Sequence, residues 1–159
     1  MIDRLIPNIL RDLRVELADE FDRNFERKAF FDQPWAPVKE NNPLGSLMMR
    51  SGDLRKSILA YNDSDSVRFE SSSPYAVIHN DGGVVRPQVT ARMKQWAWYM
   101  YKETKLEHYK WLALTKKTNL EITIPQRQFI GEHREVDRIV EEVVTHRVNE
   151  AFNSLFRNS

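Results

Sequence analysis

The chain has 159 residues, 30% of them charged, with a formal net charge of +1, no cysteine and five glycines. That length suits a single domain, 1–159, around one sizeable core, and the lack of cysteine excludes disulfides, thiolate metal sites and a cysteine nucleophile. The N-terminus is charged where a signal peptide would be apolar, and no run approaches the ~20 apolar residues of a membrane span, so a soluble, unprocessed protein without a membrane partner is expected.

Leu10, Leu13, Leu17, Phe21 and Phe25 recur three or four residues apart and predict an amphipathic helix from Pro7 to Lys28, with charges such as Arg11, Asp12, Glu16 and Arg23 on its outer face. Residues 30–50 hold three prolines and no sustained periodicity, which predicts an extended Pro-rich arm. Its Phe30, Phe31 and Trp35 need an apolar surface, in this chain or in a neighbouring subunit. Ser51 is placed to cap a short helix that carries Asp53 in its first turn and Leu54 and Ile58 on one face.

Ser57–Tyr61 and Ser66–Ser71 flank the polar cluster Asn62-Asp63-Ser64-Asp65 and predict a β-hairpin. Pro74 opens, and Gly82-Gly83 closes, a short helix over 74–80 that presents Tyr75, Ile78 and His79. Thr90 caps a helix to about Lys102, with Met93, Trp96, Ala97 and Met100 on its inner stripe and Trp98, Tyr99 and Tyr101 around it. A second strand pair is expected from Trp111–Thr115 and Leu120–Ile124 around the turn-like Lys116-Lys117-Thr118-Asn119, with Pro125 ending it. From Glu132 onward, Val136, Ile139, Val140, Val143, Val148, Ala151, Phe152 and Leu155 predict a long C-terminal helix. The order predicts an α+β fold, in which long N-terminal and C-terminal amphipathic helices pack on a small antiparallel β-sheet with short additional helices.

Charge is unevenly spread. From Arg86 to Lys117 there are eight basic and two acidic residues, a balance of +6 that leaves −5 for the rest of a chain whose total is +1. Arg86, Arg92, Lys94, Lys102, Lys105 and Lys110 alternate there with Trp and Tyr, a mixture that serves either a stacking platform for nucleic acid or an aromatic core with snorkelling lysines. Opposite signs on the two parts would also suit a head-to-tail contact between copies.

Evidence for catalysis is thin. With a single glycine pair, the chain lacks the clustered glycines of a phosphate loop or a dinucleotide fingerprint. His79, Asn80 and Asp81 form the best polar cluster, but neighbours on a helix diverge by about 100°, so a structural role for His79, such as a hydrogen bond at the glycine turn, is preferred to a hydrolase or nuclease centre with Asp81. His146 has Glu142 and Glu150 one turn away on either side, a spacing that more often makes a solvated pair than a metal site. No enzyme activity, cofactor, metal or small-molecule substrate is expected.

Three segments stand in a set order: Leu47 to Ile58 with Ser51, Gly52 and Leu54; Pro74 to Gly83 with Pro74, Tyr75, His79, Gly82 and Gly83; and Ile124 to Gly131 with Pro125, Arg127, Phe129 and Gly131. This pattern resembles the Mu-like phage virion-morphogenesis, or tail-completion, family, with Gln128 standing where that pattern usually has proline. The resemblance implies a small, non-enzymatic α+β subunit of phage or prophage origin. Such a subunit would complete the tail or connect it to the head, often as a ring of several copies, and would reside in the virion after assembly in the host cytoplasm. By this analogy the arm (Phe30, Phe31, Trp35) and the aromatic segment (Trp98, Tyr101) would contact neighbouring subunits or other head-tail proteins. The basic residues 86–110 would line a DNA passage. The alternative reading is a DNA-binding accessory protein using 86–117.

Overall fold

The computed structural model describes residues 4–38 and 45–157. The first helix, α1 (Leu5–Arg27), buries the expected stripe of Leu10, Leu13, Leu17, Phe21 and Phe25, together with a polar residue, Asn24, at no exposure. Lys28 closes it in the left-handed conformation and returns its N–H to Asn24. The chain then makes a minimal ladder, β1 (Ala29–Phe30) with β2 (Gln33–Pro34).

This turn corrects the expectation of an arm available to neighbours. Phe30 is 2% exposed, Phe31 8% and Trp35 7%, all buried in the chain's own core, so none of the three is a surface contact. Residues 39–44 of the expected arm lie outside the described residues.

The short helix α2 (Asp53–Lys56) starts one residue later than expected, after Gly52 at φ +75°, and Ser51 Oγ accepts from the Asp53 N–H at 3.3 Å. Ile58 belongs to the next strand, yet it packs in the same cluster as Leu54. Arg55 pins α2 to α1 by pairing with Asp22 and Glu26. The hairpin β3 (Ile58–Asn62) and β4 (Val67–Ser71) forms in the register Ile58↔Ser71 to Asn62↔Val67 and lies on α1. Next come α3 (Ala76–Asp81) and β5 (Gly83–Val85).

A helical hairpin follows: α4 (Ala91–Thr104), whose Thr90 cap accepts from the Met93 N–H at 3.1 Å, and α5 (Glu107–Leu114). Residues 111–115, expected as a strand, are therefore mostly helix. Tyr109, Leu112 and Ala113 share a face and nothing in 107–114 is β-branched, so the local preference is helical once α4 offers a surface. The partner of β6 (Ile122–Ile124) is β5, in the register Gly83↔Ile124 to Val85↔Ile122. A Gln88↔Asn119 bridge and the Leu120 N–H to Pro87 carbonyl bond extend this pairing. Residues 86–121 thus form an excursion on a two-stranded stalk, its helices packed mainly on each other.

The last helix, α6 (Arg134–Arg157), runs along α1, held by Arg147 on Asp12. Ile139, Val136 and Val143 join Leu17, Phe21, Phe30 and Phe31 in one cluster, while Phe25, Trp35, Ala76 and Phe129 form a second. Beyond Arg147 the apolar stripe of α6 is uncovered, with Phe152 59% and Phe156 65% exposed. The strands make three separate two-stranded ladders among the described residues, within an α+β fold framed by the two long helices.

Candidate functional site

The three sequence segments meet in one place. Segment 126–130 is strapped down from three sides, because five of its backbone groups find partners distant in sequence. The Arg127 N–H donates to the His79 carbonyl at 2.8 Å. The side-chain oxygen of Asn80 accepts from the N–H groups of Phe129 and Ile130 at 3.0 and 3.1 Å. Trp35 Nε1 donates to the Gln128 carbonyl at 2.6 Å, and Asn24 Nδ2 to the Phe129 carbonyl at 3.1 Å. Asn24 completes its own set by accepting from the Phe31 N–H at 3.0 Å. Every group so paired is protected from the cost of burial without a partner.

Gly82 explains why this crossing needs glycine. At φ +73°, a Cβ there would stand 2.8 Å from the Gln126 backbone nitrogen, so any side chain would push the two segments apart. Pro125 leads out of β6 into the strapped segment, and Gly131, at φ +151°, releases the chain toward α6.

Above this knot lies a groove of about 760 Å³. Ser51, Gly52 and Leu54 from the first segment, Pro74, Tyr75 and His79 from the second and Arg127 from the third all line it. Phe129 lies beneath, at 2% exposure against Phe25 and Trp35, while Gly83 opens β5 in pairing with Ile124. Arg127 is 9% exposed, and its Nε donates to the Ala36 carbonyl at 3.1 Å.

His79 does not make the side-chain hydrogen bond expected at the glycine turn: its Nδ1 is buried without a partner, and it is the backbone carbonyl that holds Arg127. Burial, and then the Arg127 charge, hold its imidazole below the ordinary range. Asp81 is exposed and bonded to the Asn80 side chain at 2.9 Å, so the structure does not assemble His79 and Asp81 into an acid–base pair. His146 pairs with Glu150 at 3.3 Å on the surface of α6. No group of three metal-ligating side chains occurs among the described residues.

The basic and aromatic residues are together on the α4–α5 hairpin, unequally available. Lys94 Nζ donates to the Thr115 carbonyl at 2.6 Å inside the hairpin, which removes it from a DNA-facing set. Arg86 pairs with Glu121 at 2.9 Å, and Lys105 and Lys110 lie over the Tyr101 ring. Tyr101 is half-buried beside Trp98, while Arg92 and Lys102 are exposed. Trp96 is 50%, Trp98 40%, Tyr99 60% and Trp111 52% exposed, so the aromatic surplus stands at the surface.

Asn24 and Asn80 do the most to hold the site together, in roles the sequence did not indicate. Asn24 carried a readable signal, a polar residue on the apolar stripe of α1; Asn80 stood out only as a member of the polar cluster with His79 and Asp81.

The body is an α+β fold framed by two long helices, with a glycine-dependent backbone crossing between its segments. The sequence pattern of the phage virion morphogenesis family matches residues 6–149, and the chain belongs to that family. It is a phage morphogenesis protein, associated with the virion. No curated protein and no solved structure matches it.

Proposed function

We propose that the protein completes the phage tail or joins it to the head, acting as a non-enzymatic subunit of a closed ring. The α4–α5 hairpin carries this reading, because its exposed Trp96, Trp98, Tyr99 and Trp111 exceed what its own packing needs, and aromatic surfaces of this kind favour protein contacts. Charge supports it too. The stretch from Arg86 to Lys117 holds +6 against −5 elsewhere, so a head-to-tail arrangement sets unlike charges together, and such heterologous contacts close into rings when the rotation permits. The uncovered Phe152 and Phe156 on α6 offer a second apolar surface for the same assembly.

The test is the mass of the purified protein in solution by light scattering across a wide concentration range, alone and with tail components. A discrete ring of fixed size is expected. A strict monomer under all these conditions overturns the ring. Exposed Arg92 and Lys102 favour a second reading, contact with passing DNA, for which retention on duplex DNA should fall steeply with salt and ignore sequence.

A further inference from the structure

The groove over the strapped segment contains a positive charge, Arg127, that no carboxylate among the described residues neutralises. Arg127 is 9% exposed, yet among the described residues its Nε alone finds a hydrogen-bond partner, the Ala36 carbonyl, and no carboxylate lies within ion-pairing distance of it. Burial without an acidic partner depresses the guanidinium's proton affinity, the direction opposite to that of Arg55, which Asp22 and Glu26 embrace. A buried cation lacking its counter-charge is costly, and a bound anion relieves that cost.

The walls specify what else the ligand must be. Leu47, Met48, Leu54 and Pro74 make them largely apolar, and among the described residues the other charged ones on them are Arg50 and Asp53, which with Arg127 give a positive balance. His79, adjacent to Arg127, is kept neutral by burial and by that same positive charge. An isolated phosphate would leave the apolar walls uncovered; an acidic side chain or chain terminus flanked by apolar residues would satisfy both.

We propose that this groove docks an extended polypeptide segment of a neighbouring virion protein, with a carboxylate of that segment seated on Arg127 and its apolar side chains on Leu47, Met48 and Leu54. The assembly reading is needed only to say where the partner comes from. The groove's preference is a property of the isolated protein.

Three probes test it in the purified, isotopically labelled full chain at low salt, followed by amide chemical shifts: N-acetyl-leucine, its uncharged amide, and inorganic phosphate. The acid should shift the amides of Leu54, Tyr75, His79 and Arg127 and bind at least about tenfold more tightly than the amide, the scale of one charge-assisted contact. Saturation with the acid should also raise the His79 pKa, because the carboxylate offsets the Arg127 charge. In Arg127→Gln the acid and the amide should bind alike. The wild-type comparison needs no variant, so it decides the matter even where Arg127→Gln fails to fold. Equal binding of acid and amide, no binding of either, or phosphate binding more tightly than the acid overturns the proposal, the last in favour of a phosphate-bearing partner. Any of these leaves the ring reading standing, since that is tested by mass.

Discussion

Asn24 shows how one side chain can join two distant parts of this fold. It is fully buried, it satisfies the Phe31 N–H and the Phe129 carbonyl, and it does so from the apolar face of α1. Truncation leaves both backbone groups unpaired in the core, so Asn24→Ala should lower stability by about 3 kcal/mol in urea unfolding. A loss within about 0.5 kcal/mol, the level of an ordinary surface substitution, would contradict this account. His79 provides a pH test. Its folded pKa lies below the unfolded value of about 6.5, so the unfolded chain binds the proton more readily. Its contribution is fully present above the unfolded pKa and is lost as pH falls from there through the folded pKa. Unfolding measured between about pH 7 and pH 5 should therefore show a shallower loss of stability in His79→Gln than in the wild type. Parallel profiles would mean that the imidazole is not held neutral. Asp22, lowered by its hydrogen bonds to Arg55, acts at more acid pH and does not confound the comparison.

Among the elements, the excursion from residue 86 to 121 is the most separable. Neither core cluster draws a residue from it, and the β5–β6 stalk that carries it ends in the Val85↔Ile122 pair. Replacing 86–121 by Asn-Gly would join those strands through a two-residue turn whose twist suits a hairpin. The shortened protein should retain cooperative thermal unfolding, monitored by circular dichroism, and lose self-association. Loss of the cooperative transition would show that the body depends on the hairpin. The hairpin's own stability comes from α4 packing on α5, with Trp96 edge-on to Tyr109 at 5.5 Å and Thr90 capping the first turn.

For the whole molecule the separation of charge matters more than its total. A chain of net +1 has little long-range pull, but +6 over Arg86–Lys117 facing part of the −5 on another copy is attractive at short range and screened beyond about 8–10 Å at physiological salt. Association should therefore weaken as salt rises from about 0.05 to 0.5 M, seen as a falling mass in light scattering. An assembly that strengthens with salt would point instead to apolar contacts through Phe152, Phe156 and the tryptophans.

The two long helices, the 58–71 hairpin, the glycine turn after α3 and the Thr90 cap were legible in the sequence because each rests on local chemistry: a period near 3.6, alternation, glycine's access to positive φ, or a hydroxyl at a helix start. The family was legible too, since its motifs are short and contiguous. What only the tertiary structure decided was non-local. Residues 111–114 are helical because α4 lies beside them, and β6 pairs with β5 across the whole excursion, which no local turn signal records. Phe30, Phe31 and Trp35 turn inward because a left-handed Lys28 and the turn at Phe31 fold that segment back onto α1. The joining of three segments into one groove, with Arg127 buried at its wall, rests on contacts between residues far apart in the chain; sequence spacing carries the residues, and packing sets which of them meet.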